Sequence, residues 1–235
     1  MCQEVYGNLK HMTAELGLRE RKKLRTRQLI AETARRMFAE RGFDDVPVAE
    51  IARAAEVSEA TVFNYFPTKE DLVFQGMEVF ETELLAAVRE RPAGEPFVEA
   101  FARFVLRPRG FLAAEDEHTA SFLTKVARMI AASPALLTRE REILARYTEA
   151  LAALIAEDTG AGRGDLRPTV VAHALIGTHH TLIQLVRRRV LEGNADRAGI
   201  AAELQARGRQ ALDLLNQGLA GYGAKSAGPD AALIS

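Results

Sequence analysis

Apolar residues recur at three- and four-residue spacing through most of this chain, and no stretch sustains the strict alternation of a half-buried strand. Ile30, Ala34 and Phe38 stand four apart with Met37 beside them, which gives one apolar helical face over 23–41, ended by Gly42. Two short helices follow at 48–55 and 59–66. A longer one opens near 68 and its pattern runs to 91. The breakers Pro92-Ala-Gly94, Pro96, Pro108-Arg-Gly110, Pro134, Gly160 to Gly164, Pro168 and Gly193-Asn194 divide the remainder into five or six further helices. The longest are expected at 134–158, 166–191 and 196–217. Residues 218–235 are small, Gly-rich and unpatterned, and read as a disordered tail. The expected fold is therefore all-α.

The segment 47–66 carries the residue sizes of a helix-turn-helix. Ala52 is small where two helices would cross. Ile51, Ala55, Val57 and Val62 form a wedge between them, and Ala55-Glu56-Val57 supplies a three-residue turn. Ser58 is placed to cap the second helix, because its hydroxyl can accept an orphan backbone N–H. Pro67 stops that helix and disfavours helical geometry at Phe66. Thr68-Lys69-Glu70-Asp71 then forms a capping box, with Asp in the usual Glu position.

Charge sharpens this picture. The 235 residues carry a net charge of −1, so binding to a polyanion requires a local patch. Residues 19–27, Arg-Glu-Arg-Lys-Lys-Leu-Arg-Thr-Arg, supply one immediately before the motif. Such an arm neutralises phosphates and makes affinity salt-dependent. The second helix of the motif has neither Lys nor Arg. Base reading falls to Thr61, Asn64 and Tyr65, with methyl contact from Ala60, since Asn pairs with adenine and apolar groups meet the thymine methyl. Glu59 either favours the helix N-terminus electrostatically, the preferred role, or accepts from cytosine N4. Val62, Phe63 and Phe66 are expected to face inward.

These residues resemble the N-terminal domain of the TetR family of bacterial regulators. The resemblance is carried by Ile30, Ala34, Phe38, Gly42, Phe43, Val48, Ile51, Ala52, Ala55, Val57-Ser58, Thr61, Tyr65-Phe66 and the run Pro67-Thr-Lys-Glu-Asp-Leu72. It implies a three-helix DNA-binding domain followed by a larger helical domain for ligand binding and dimerisation. It also implies a dimeric repressor on a palindromic operator, released by a small molecule. Ser58, Ala60, Thr61, Asn64, Tyr65 and Lys69 match the DNA-facing positions, and Arg25 and Arg27 match the arm. Two positions depart from the pattern. Pro47 stands where relatives carry Thr, and Glu56 stands where relatives carry Gly, at a turn position that commonly needs positive φ. The domains are then a flexible basic extension at 1–22, the helix-turn-helix domain at 23–72, the ligand and dimer domain at 73–217, and the tail.

The second half is less specific. Helix 166–191 shows two apolar faces, one with Val171, Leu175 and Leu182 and another with His173, Ile176-Gly177, His180 and Gln184. Together with helix 196–217 it is expected to pair with a second copy as a four-helix bundle. Candidate walls for an apolar effector site are Phe101, Phe104, Phe122, Met129, Tyr147, His173, Gly177 and His180. His173 and His180 stand two turns apart, too far along one helix for a single metal ion, so no metal and no cofactor is expected. No phosphate loop, catalytic triad or paired-acid pattern argues for an enzyme. The alternatives are a DNA-binding regulator without an effector and a His-based metal sensor. A single cysteine, no apolar run of bilayer length and no signal-peptide core fit a cytoplasmic protein. Met12 opens a second plausible start, so that 1–11 reads equally as an upstream extension or as a misassigned start.

Overall fold

In a computed structural model, residues 17–193 and 196–218 are described. Of the expected flexible extension at 1–22 and tail at 218–235, residues 1–16 and 219–235 lie outside them. Among the described residues every regular element is helical. In chain order these are α1 (Leu18–Arg41), α2 (Val48–Ala54), α3 (Glu59–Tyr65), a 3-10 turn (Glu70–Leu72), α4 (Met77–Arg89), α5 (Phe97–Val105), a second 3-10 turn (Gly110–Ala113), α6 (Glu117–Ala132), α7 (Pro134–Thr159), α8 (Arg167–Leu191) and α9 (Arg197–Gly218).

Two compact units emerge. The first comprises the described part of Met1–Glu78 with Arg109–Arg141, and the second the described part of Val79–Pro108 with Glu142–Ser235. The first therefore gathers α6 and the start of α7 around the expected helix-turn-helix domain.

The first unit is built on the predicted stripe of α1. Ile30, Ala31, Thr33, Ala34 and Phe38 are buried, and Gly42, at φ +91°, turns the chain away while its N–H donates to the Phe38 carbonyl. Phe43 packs its ring 5.2 Å from that of Phe38. Val46, Ile51, Ala52, Ala55, Val62, Phe66, Leu72 and Val73 complete the core, joined by Ile130 of α6 and Leu136 of α7. α6 opens on Asp116, whose carboxylate accepts the Thr119 N–H at 2.7 Å. α1 starts at Leu18, five residues before the sequence expectation, so Arg19 to Lys22 are helical.

One expected element is not formed. The continuous helix over 68–91 is replaced by a single 3-10 turn, an irregular step and then α4. Gly76 lies at φ +93°, a left-handed backbone that a right-handed helix cannot pass through. The apolar spacing persists across this break, which is why periodicity alone joined the two pieces.

In the second unit α5 is the central strut, with Phe97, Val98, Ala100, Phe101, Ala102, Phe104 and Val105 all buried. Phe80, Leu84 and Val88 of α4 and Tyr147, Leu151 and Ile155 of α7 are buried in the same unit. α8 buries Val171, Ala172, Leu175, Ile176, His179 and Leu182. α9 packs on α8 and α5. Gly208 allows the close approach, because a Cβ there would collide with Leu106 Cδ2 and stand 3.2 Å from Leu182 Cδ1.

Arg91 is 1% exposed in this unit. Its guanidinium donates to the Val88 carbonyl, the Glu95 carbonyl and the Asp158 carboxylate, and stacks 3.8 Å from the centre of the Phe97 ring. Every face of a buried cation is thereby satisfied.

Candidate nucleic-acid interface

The turn between α2 and α3 closes as a Schellman motif. The Val57 N–H donates to the Ala52 carbonyl at 2.9 Å, and the Glu56 N–H to the Arg53 carbonyl at 3.2 Å. Glu56 occupies the left-handed position at φ +55°, and it is the non-glycine residue in the described chain with that geometry. The turn thus has the backbone the sequence comparison implied, built on a residue with a Cβ.

Ser58 caps α3. Its Oγ accepts the Thr61 N–H at 3.1 Å and lies 2.8 Å from the Thr61 hydroxyl. Val62 and Phe66 are buried beneath the helix, and Phe66 leaves it in extended geometry, φ −136° and ψ 95°, ahead of Pro67. Ser58, Glu59, Ala60, Phe63 and Asn64 stand exposed on the outer face, while Thr61 and Tyr65 are half-buried. Tyr65 also leans on the core of the unit.

Phe63 departs from expectation. The sequence pattern places it inward, yet it is 44% exposed. The seven-residue helix has room for one inward row, and Val62 and Phe66, four apart, fill it. Phe63 lies one residue round from Val62 and is turned out beside Asn64. The signal was available in that spacing.

The basic residues divide into two groups. Arg19, Arg21, Lys22, Lys23 and Arg25 are exposed on the first turns of α1. Arg27 instead pairs with Glu78 at 2.9 Å and lies 5.0 Å from the centre of the Phe66 ring. Lys69 is drawn in as well, its ammonium 4.4 Å from the Phe43 ring centre and 3.5 Å from the Asp44 carbonyl. The capping box closes reciprocally, with the Thr68 N–H on Asp71 Oδ2 at 3.0 Å and the Asp71 N–H on Thr68 Oγ1 at 3.3 Å. Asp71 Oδ1 accepts from Arg139 of α7 at 2.8 Å. Arg139 is a residue the sequence reading missed, because an ion pair across 68 positions leaves no local pattern.

Elsewhere in this unit, Arg41 of α1 donates to Glu50 of α2 and holds that carboxyl below the ordinary carboxylate range.

Residues 30–75 match the family model for bacterial regulatory proteins of the tetR family. Over these residues the chain is similar to the DNA-binding domain of the TetR family. Among similar proteins, the HTH-type transcriptional regulator TcmR of Streptomyces glaucescens is 36% identical over 86 residues, 37% of this chain and 38% of that one. The HTH-type transcriptional regulator LuxR of Vibrio harveyi is 54% identical over 50 residues, 21% of this chain and 24% of that one. These two alignments thus span well under half of either relative. A solved structure of NalD, the secondary repressor of the MexAB-OprM multidrug efflux pump in Pseudomonas aeruginosa, covers 80% of this chain and 96% of its own, with a TM-score of 0.51 and 19% identity. That likeness shows that the TetR-like fold extends over both units.

The residues expected to wall an effector site fall in both units. Phe101, Phe104 and Tyr147 are buried in the second unit, whereas Phe122 and Met129 belong to the first, where Met129 packs on the core around α1. His173 and Gly177 are exposed on α8, and His180 is half-buried with its Nε2 3.1 Å from the Gln184 side-chain nitrogen. The histidine that does enter the interior is His179, stacked 5.0 Å from Phe80, which in turn lies against Phe104 and Tyr147. One residue along a helix is a rotation of about 100°, enough to exchange the two faces. No helix among the described residues is long and apolar enough to cross a membrane, and no cluster of three metal-ligating side chains forms among them.

Proposed function

We propose that this protein is a TetR-family transcriptional regulator that binds operator DNA through α3. The reading rests on one observation: Ser58, Ala60, Phe63 and Asn64 stand on an outward face whose reverse side, Val62 and Phe66, is locked into the core. An α-helix so presented fits the major groove. Asn64 is assigned to adenine and the apolar Ala60 and Phe63 to thymine methyl groups. Arg25 and its exposed neighbours on α1 take phosphates, whereas Arg27 and Lys69 have to leave internal partners to do so.

The protein works as a homodimer on a palindrome, with α8 and α9 forming the twofold bundle. Val170, Leu191 and Leu214 support this, being 60%, 40% and 69% exposed on those helices. A second copy seated on these helices would take such exposed apolar side chains out of water. Repression released by a small, largely apolar effector is the regulation assigned to it, with the effector held in the second unit near Phe80, Phe104, Tyr147 and His179. Release follows when the effector favours one arrangement of the recognition helices and operator DNA another.

The test is selection of genomic fragments by the purified protein, followed by titration of the enriched duplex. Enrichment of a palindrome with half-sites about one helical turn apart, or a multiple, supports the reading. Uniform recovery of all fragments removes it. Asn64→Ala is expected to weaken binding and relax base choice at one position per half-site, while neutralising Arg19, Arg21 and Arg25 weakens binding to every duplex.

A further inference from the structure

We propose that Arg139 of α7 is a positioning residue for DNA binding, acting through Asp71 on the turn that follows the recognition helix. The inference rests on the DNA-binding reading of α3. Asp71 divides its two oxygens between two tasks: Oδ2 accepts the Thr68 N–H, and Oδ1 accepts from Arg139 Nε and lies 2.8 Å from Nη2. The Arg139 and Asp71 side chains are only 25% and 16% exposed, so water replaces neither bond fully. Asp71 therefore cannot turn to follow Arg139 without surrendering the cap.

Thr68 and Lys69 are held within that capped turn, immediately beyond Pro67. The same segment is held from other sides by Arg27 against Phe66 and by the Phe43 ring under Lys69. Those restraints come from α1 and the loop after it. Arg139 instead brings in α7, whose first turn is anchored in the same core by Leu136, 0% exposed. A shift of the start of α7 changes where the Lys69 ammonium is offered to a phosphate, whereas a shift of α1 carries the rest of the domain with it. This makes α7 the element whose position sets DNA affinity in this unit.

The experiment uses the full chain and the enriched duplex, with affinity read by fluorescence anisotropy. Arg139→Gln is expected to weaken binding about tenfold, with circular dichroism and oligomeric state unchanged, and Arg139→Lys to recover most of the loss. The deciding readout is the penalty of Lys69→Ala, expected to be several-fold smaller in the Arg139→Gln background than in the wild type. Should Arg139→Gln fail to fold, Asp71→Asn carries the same comparison, since Asn retains an acceptor for Thr68 while losing the charge that Arg139 meets. Wild-type affinity in the variant, or an identical Lys69→Ala penalty in both backgrounds, overturns the proposal. A wild-type protein that binds no duplex overturns the DNA-binding reading and this inference with it. A wild-type protein that binds, alongside an equally competent Arg139→Gln, overturns the inference alone.

Discussion

The guanidinium of Arg91 reaches the carboxylate of Asp158 at 2.6 Å, although the two are 67 positions apart and the arginine side chain has no exposure to solvent. Removing one partner of such a pair leaves the other unpaired in a poorly hydrated place. Arg91→Ala is expected to cost about 3 kcal/mol, since Asp158 retains some access to water. Arg91→Met, which keeps the volume over Phe97, should cost more than Arg91→Lys. Urea unfolding of the three variants checks the order.

Glu56 carries the left-handed turn of the helix-turn-helix on a residue with a Cβ. Glu56→Gly removes that steric cost and is expected to raise stability by about 0.5–1 kcal/mol, net of the added freedom of the unfolded chain. Thermal unfolding with and without DNA measures it. A drop in stability would mean that the Glu56 side chain contributes more than its backbone costs.

Gly208 lies where α9 passes Leu106 and Leu182. Gly208→Ala relieves a helix of its poorest former yet forces a methyl into occupied space. Packing is expected to outweigh propensity, for a net loss of about 1–2 kcal/mol. A gain in melting temperature would show that the leucine side chains yield.

Acid should loosen the fold through identifiable carboxylates. Arg41 holds Glu50 below its ordinary value near 4.5, and the Thr119 N–H, with the Thr119 hydroxyl, holds Asp116 below its ordinary 3.8. A depressed folded value means these groups stabilise the fold fully above the ordinary value and stop doing so as pH falls through the lower one. The melting temperature is expected to decline below pH 4.5. Glu50→Gln should flatten the upper part of that decline.

The architecture was legible where physics is local. The stripe of Ile30, Ala34 and Phe38, the Ser58 cap and the Thr68–Asp71 box each follow from a few adjacent residues, and each is present, while the left-handed turn at Glu56 is what the family resemblance implies. The break at Gly76 was hidden because its apolar neighbours keep helical spacing. The long-range charge pairs were hidden as well. Arg27 in the basic arm and Lys69 after the second helix of the motif both read as DNA-facing cations, and only the folded chain shows Glu78 and Phe43 beside them. The sequence points to His180 rather than His179 because a helix with two apolar faces, as α8 shows, does not reveal which of them is inside.

The sequence of α3, EATVFNY, contains an acid and no base. On the proposed DNA-binding reading, discrimination among duplexes and attraction to duplexes therefore arise from separate helices. Raising ionic strength should strip away the part contributed by α1 and leave the ranking of good and poor sites intact. Titrations of a matched and a scrambled duplex across a salt series should give falling lines whose separation stays constant.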